Sequence, residues 1–237
     1  MCIRDSIKSY GFHATHGRSL PVAQGVKMAN KDLTVIASGG DGDGFAIGMG
    51  HTVHALKRNI DITYIVMDNQ IYGLTKGQTS PSSSKGFVTK STPKGSIEQP
   101  IQPIKTALAS GATFVAQSVS SDIKELTSII QQAIDHKGFS FVNVFSPCVT
   151  YNKVNTYDWF KENLISIADL EGYDVHNATV AMNSIMENDG LLKGVIYHNP
   201  DAPSYEEHIE GYDDQPLISR EMRLERDTFD DMMAEFK

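Results

Sequence analysis

The chain has 237 residues, 40% of them hydrophobic, which is enough for one substantial core and a smaller appendage. A formal net charge of −8 and a pI near 5.4, with no basic stripe to offset them, argue against a nucleic-acid partner. No apolar run approaches the roughly 18 to 20 residues of a membrane-spanning helix, and no signal-peptide core opens the chain, so a cytoplasmic protein with no membrane partner is expected.

In chain order, residues 20–30 (LPVAQGVKMAN) predict a helix, with Ser19 as N-cap and Pro21 in the first turn. LTVIAS at 33–38 is a short apolar run ending in glycines, as a buried parallel strand ends. Phe45 to Arg58 predicts a helix and ITYIVM at 62–67 a second strand, which together make a βαβ unit. The pattern recurs downstream: a helix from Pro103 to Ser110, a strand at 113–118, a helix from Ser121 to His136 and a strand at 139–145. A doubly wound, mostly parallel α/β sheet fits this alternation.

Between Asp68 and Pro103 the chain is rich in Gly, Ser, Thr, Lys and Pro and shows no period; loops of that length are functional or disordered. After Cys148, TYDWFKEN predicts a short helix, Val175 to Asp189 another, and residues 194–198 a strand. From about Asn199 the chain is polar and acidic, and reads as a surface tail with a late helix from Arg220 to Lys237 docked on a partner. The expected division is a cofactor-binding α/β domain over 7–155 and a polar C-terminal extension over 156–237, packed on that domain or on a partner.

Chemistry concentrates in GGDGDGFAIGMG, residues 39–50, where six glycines and two aspartates fall within twelve residues. Glycines let the backbone approach a ligand, whereas an aspartate repels a bare phosphate unless a cation lies between them. In a parallel α/β sheet, ligands sit beyond the carboxyl ends of the strands, so this loop and residues 68–78 should line one crevice. Asp41 offers a hard carboxylate and Asn69 a neutral oxygen, with backbone carbonyls nearby, a donor set suited to Mg²⁺. The amides of Gly42 to Gly44 open a helix and can donate to a diphosphate. The plainer readings are a flexible turn or a degenerate dinucleotide loop; the Gly-Lys-Ser/Thr ending of a P-loop is absent.

The GDG at 40–42 followed by Asn69 at the end of the next strand resembles the signature of thiamine-diphosphate enzymes. Four stretches in order, YGFHATHGRSLPVAQGVKMAN, GGDGDGFAIGMGH, NQIYGLTKGQTSPSS and FSPCVTYN, resemble the β subunit of 2-oxoacid:ferredoxin oxidoreductases over about residues 7 to 160. The resemblance implies a thiamine-diphosphate-binding fold in which Asp41, Asn69 and the Ile71 carbonyl hold Mg²⁺. It implies further that Gly17, Gly40, Gly42, Asp43, Tyr72, Gly73, Leu74 and Thr75 surround the cofactor. His16 and Arg18 are implied near the reacting centre, His16 being alternatively a satisfied histidine and Arg18 an anion contact. Lys76, where other members carry glycine, makes the loop look most like the 2-oxoglutarate type; a lysine there could pair with a distal carboxylate, or be a solvated or intersubunit residue.

The implied reaction is oxidative decarboxylation of a 2-oxoacid to acyl-CoA, with coenzyme A as acyl acceptor and ferredoxin as electron acceptor, in a heteromer with an α subunit. That partner is implied to supply the activating glutamate, since no glutamate occurs between Met1 and Lys94. A [4Fe–4S] cluster usually needs four thiolates, and the only cysteines are Cys2 and Cys148. In the family, the cysteine of SPC joins three from an N-terminal segment that this chain lacks. MCIRDS does not match that segment, so the chain is expected to be an N-terminally truncated fragment in which Cys148 is a ligand only in the intact protein. A small buried thiol is the alternative for Cys148. His51 and His54, three apart on one helix face, could form a metal pair but lack a third ligand. Lys85, Lys90 and Lys94 read as surface or partner-facing. Pyruvate or branched-chain specificity, a non-catalytic remnant and a non-redox thiamine decarboxylase are the competing readings.

Overall fold

The computed structural model describes residues 8–212, 215–221, 223 and 225–236. Cys2 lies outside them. Among the described residues seven α-helices and six strands alternate: α1 (Ser19–Ala29), β1 (Ile36–Gly40), α2 (Met49–Arg58), β2 (Ile62–Asp68), α3 (Pro103–Ala109), β3 (Phe114–Val119), α4 (Ile123–Asp135), β4 (Phe139–Phe145), α5 (Tyr157–Asn163), β5 (Ile165–Ser166), α6 (Ala178–Glu187), β6 (Leu192–His198) and α7 (Arg226–Ala234). The strands form one six-stranded sheet in the order β1-β2-β4-β3-β6-β5. The pairs β1–β2, β2–β4 and β3–β4 are parallel, while β6 runs antiparallel to β3. The doubly wound, mostly parallel α/β sheet expected from the sequence is therefore the observed fold.

Strand side chains alternate between faces. Phe139 and Phe141 of β4, Val115 of β3 and Tyr64 of β2 meet α1, α2, α3 and α6 in the main core. Val142, Val144, Phe114 and Ala116 face the other way, against Ile129 and Ala133 of α4. Burying each large aromatic of this set contributes roughly 1.5–3 kcal/mol. Helix α4 starts at Asp122, whose carboxylate accepts the Glu125 amide at 3.2 Å. Helix α2 ends at Asn59, in the left-handed region with φ 55°, after a last turn carrying Lys57 and Arg58.

Several boundaries differ from the sequence reading, each for a local reason. The helix expected from Phe45 is a π-turn over Asp43–Ile47, closed by the Gly48 amide on the Asp43 carbonyl at 3.0 Å, and the α-helix begins only at Met49. Ser19 is not the N-cap of α1: the turn Thr15–Arg18, closed by the Arg18 amide on the Thr15 carbonyl, puts Arg18 there and Ser19 inside the helix. Strand β1 begins at Ile36 and runs on through Gly40, because its pairing partner β2 continues beside it to Met67. Of the helix expected from Arg220 to Lys237, the described residues show Arg226–Ala234 as helical, and Met222, Leu224 and Lys237 lie outside them.

The long segment 69–102 has no helix or strand of its own but is ordered by turns, for instance Gly86 to Ser96 and Ile101 to Pro81. Nor is the segment after Asn199 a loose tail at its start. Asn59 donates to the Pro203 carbonyl at 2.9 Å, Glu206 accepts the Asp61 amide at 3.1 Å, and the Tyr212 hydroxyl donates to the Lys27 carbonyl at 2.9 Å. Lys27 itself is buried and paired with Asp61 at 2.8 Å.

Candidate functional site

The carboxyl ends of β1 and β2 lie side by side, with Gly40 opposite Met67, so the loops that follow them converge as the parallel sheet requires. Asp41, the first residue after β1, is 2% exposed, and Asp68, the last of β2, is 1% exposed. Their carboxylates meet through one side chain: the Ser82 hydroxyl lies 2.6 Å from Asp41 Oδ2 and 2.8 Å from Asp68 Oδ1. Ser80 donates to the same Asp41 oxygen at 2.5 Å.

Among the described residues neither carboxylate has an ion-pair partner. Burial accordingly raises the proton affinity of both. Asp41 is pushed up by desolvation against its serine and amide donors, and Asp68 is pushed up to about 7 by desolvation and then by the Asp41 charge. Two acids buried this closely without a cation favour either a proton or a metal ion. The oxygens at hand, from Asp41, Asn69 and the Ile71 carbonyl, are hard donors, and thus the residues present fit Mg²⁺.

The turn after β2 fixes where these oxygens stand. Asn69 Oδ1 accepts the Ile71 amide at 3.0 Å, with Gln70 between them at φ 56°, and Ile71 is buried. Tyr72 bridges to Gln78, closing a loop in which the Gly77 amide reaches the Tyr72 carbonyl at 2.9 Å. Tyr72 then lies on the glycine loop so closely that a Cβ on Gly42 would stand 2.1 Å from its ring. Glycine at 42 is thus demanded by protein packing, a reason distinct from ligand approach. Gly44 is held the same way, a Cβ there falling 2.5 Å from the Tyr64 hydroxyl, while at Gly39 a Cβ would meet the Asp43 carboxylate at 2.5 Å and then the Tyr64 hydroxyl at 3.0 Å. Gly40, by contrast, has only the Met67 carbonyl at 3.8 Å and leaves open space.

A third segment closes the glycine loop from the other side. The Gly17 amide donates to Asp43 Oδ1 at 2.6 Å, and His16 Nδ1 stands 3.0 Å from the same oxygen. Gly17 has φ +73°, and a Cβ there would collide with Ile47 and Gly48. Arg18 donates to the carbonyls of Gly17 and Ile47. Asp43, expected around the diphosphate, is therefore already bonded to the His16–Gly17 turn.

Of the remaining expected residues, Gly73 lies over Cys148, whose Sγ would be 3.5 Å from a Cβ on that glycine. The Cys148 turn also supports the Asn69 loop: the Asn152 amide donates to the Cys148 carbonyl at 2.9 Å and its side chain to the Asn69 carbonyl at 3.3 Å. Leu74, Thr75 and Lys76 stand at the exposed tip of the 72–78 loop, with Leu74 fully exposed and Lys76 at φ 72°, and no bond joins them to Asp41. Lys85, Lys90 and Lys94 are exposed. No three His, Cys, Asp or Glu side chains gather as a metal site among the described residues, so His51 and His54 gain no third ligand and Cys148 has no co-ligands there.

Sequence reasoning placed Asp68 at the crevice without giving it a role of its own, and left the serines of TSPSSS within a long aperiodic segment. The available signal was the acid at the end of β2, one residue from Asn69, which needs donors if it is to be buried.

Residues 3–144 match the family described as thiamine pyrophosphate enzyme, C-terminal TPP binding domain, and residues 148–214 match the C-terminal family of the pyruvate ferredoxin oxidoreductase beta subunit. The 2-oxoacid:ferredoxin oxidoreductase 2, subunit beta, of Aeropyrum pernix is 38% identical over 94% of this chain and 77% of its own length. The 2-oxoglutarate oxidoreductase subunit KorB of Mycobacterium tuberculosis is 45% identical over 62% of this chain, which spans only 39% of that protein. A solved 2-oxoglutarate:ferredoxin oxidoreductase from Magnetococcus marinus, with 2-oxoglutarate, coenzyme A and succinyl-CoA bound, superposes with a TM-score of 0.76. It is 41% identical, over 80% of this chain and 65% of that one. The chain therefore belongs to the β subunits of the 2-oxoacid:ferredoxin oxidoreductases, and its core is their thiamine-diphosphate-binding fold.

Proposed function

We propose that this chain holds Mg²⁺-thiamine diphosphate for the oxidative decarboxylation of a 2-oxoacid, 2-oxoglutarate above pyruvate or a branched-chain acid, to acyl-CoA. The single observation that carries the reading is the convergence, at the carboxyl edge of the sheet, of the Asn69 turn with two buried acids that have no ion-pair partner among the described residues. Asp41, Asn69 and the Ile71 carbonyl would hold the metal, with Gly17, Gly40, Gly42, Asp43, Tyr72, Gly73, Leu74 and Thr75 around the cofactor. Bound there, thiamine diphosphate would supply the nucleophile and the electron sink for loss of carbon dioxide.

The chain's own residues orient and charge the site. Tyr72 on Gly42 holds the two loops together, and the bond from Gly17 to Asp43 keeps His16 and Arg18 at the rim, where an anionic substrate would meet them. Lys76 is proposed to meet the distal carboxylate of 2-oxoglutarate from the exposed loop tip, and the similarity to 2-oxoglutarate enzymes supports that preference. An activating glutamate, an electron path to ferredoxin and the coenzyme A site are assigned to an α subunit and to the assembled enzyme, in the cytoplasm. The described residues do not form a [4Fe–4S] site, since Cys148 has no companion ligands among them. In this reading residues 7–155 form the cofactor-binding unit, and 156–237 an extension that adds β6 to its sheet.

Calorimetry with thiamine diphosphate, with and without Mg²⁺, on this chain alone and with a matching α subunit, tests the proposal. Binding should require Mg²⁺ and vanish in Asp41→Ala; metal-independent binding, or binding that survives the substitution, would overturn it.

A further inference from the structure

We infer that Ser80, Ser82 and Ser83 are positioning residues for the metal clamp: two orient the Asp41 carboxylate and the third fixes the Asn69–Ile71 turn. The inference rests on the proposed site and adds to it a set of hydroxyls that act through Asp41 and the Asn69–Ile71 turn.

Three residues in four carry the side-chain connection between the β1 and β2 loops. Ser80 and Ser82 both reach Asp41 Oδ2, at 2.5 and 2.6 Å. With that oxygen held between two hydroxyls, the carboxylate is restrained in one orientation. Ser83 donates to the Gln70 carbonyl at 2.6 Å, inside the turn whose ends are Asn69 and Ile71, and accepts the Ser80 amide at 2.8 Å. The cluster therefore sets the position of one loop relative to the other. All three serines are buried, at 8%, 4% and 3% exposure, so water does not compete for these bonds.

Each hydroxyl carries a single proton, yet Ser82 faces acceptors on both Asp41 and Asp68. Ser80 and Ser83 commit their protons elsewhere. Ser82 can thus serve either carboxylate, and a cation arriving at Asp41 changes which of them it serves. Residues that orient metal ligands in this way typically alter metal affinity by about 10- to 100-fold when removed.

The test uses the full chain assembled with its α subunit. Mg²⁺ is titrated calorimetrically at saturating thiamine diphosphate in wild type, Ser80→Ala and Ser82→Ala, and thermal midpoints are recorded without metal. The expected result is an apparent Mg²⁺ affinity weaker by about 10-fold or more in each variant, with Ser80→Thr returning to near the wild-type value because its hydroxyl is restored. A merely structural role would lower the thermal midpoint while the folded fraction binds Mg²⁺ as wild type does. Mg²⁺ affinities within about twofold of wild type in both alanine variants would overturn the inference, and if one variant fails to fold the other decides. Failure of wild type itself to bind would instead remove the site reading, and this inference with it.

Discussion

Acidification should destabilise the fold through one buried histidine, by a defined amount. His136 is 5% exposed and lies between Phe114 and His198, at centroid distances of 5.6 and 5.1 Å. Its Nε2 is 2.8 Å from the Thr113 hydroxyl, whose proton is already given to Asn59 Oδ1 at 2.7 Å. Nε2 must therefore carry the hydrogen, and any added proton goes to Nδ1. Burial, then the neighbouring His198, lower the pKa from 6.5 to about 4, with Asp61 acting in the opposite direction. Between those values the unfolded chain binds a proton that the native chain refuses. The stabilisation is complete above pH 6.5 and is lost as pH falls to about 4. An interval of about 2.5 units corresponds to at most about 3 kcal/mol.

Asp68 opposes this in the same range. Its raised pKa gives a contribution that is present at low pH and lost as pH rises through about 7. A single wild-type profile would mix the two. Equilibrium urea unfolding of metal-free wild type and His136→Gln from pH 4 to 8 isolates the histidine by difference, and the NMR titration of the His136 ring reads its pKa directly. The difference should narrow by about 3 kcal/mol between pH 6.5 and 4. A flat difference, or a ring that titrates near 6.5, would refute the packing argument.

Two further substitutions probe the frame of the site. Gly42→Ala keeps an allowed backbone but drives a methyl to 2.1 Å from the Tyr72 ring; a destabilisation of about 1–3 kcal/mol is expected, with weaker thiamine diphosphate binding, and pairing it with Tyr72→Leu should recover part of both losses. Unchanged melting and binding in Gly42→Ala would mean that the ring moves aside freely. Asn59→Ala strands the Phe139 amide, the Thr113 hydroxyl and the Pro203 carbonyl, and removes a side chain that tolerates φ 55°. Urea melts should show a loss of about 3 kcal/mol or more, and a loss under about 1 kcal/mol would sink the view that this residue joins three segments.

The strands and helices of the sheet were legible because their apolar runs are long and end at glycine or polar breaks; Phe139–Phe145 was bounded to the residue. Boundaries failed where a tertiary contact overrode the local pattern. Phe45 to Arg58 has helical periodicity throughout, but Gly48 pressed against Gly17 widens its first turn. Asp41 and Asn69 were legible as candidate ligands because acid among glycines is chemically odd, and the structure brings their loops together. The serines at 80, 82 and 83 were not, since their meaning depends on which acid lies across the crevice, and no local period encodes that. Part of the glycine requirement has a packing reason that the sequence did not show: the Tyr72 ring at Gly42, the Tyr64 hydroxyl at Gly44 and the Asp43 carboxylate at Gly39.

The place of β4 in the sheet has a consequence for the order in which the protein is made. Strand β4 sits between β2 and β3, pairing Ile62 with Phe139 on one edge and Phe114 with Ser140 on the other. A ribosome-bound chain that has released only β1 and β2 displays the whole glycine motif, yet one edge of β2 has no neighbour. The amide of Ser146 that caps the Asp68 carbonyl, and the Asn152 side chain that supports Asn69, are synthesised later still. Such distant pairings form slowly because the loop must close before any contact rewards it. On the proposed reading of the site, affinity for the diphosphate is therefore acquired only after most of the sheet has been made, and a nascent chain cannot trap cofactor on a half-built edge.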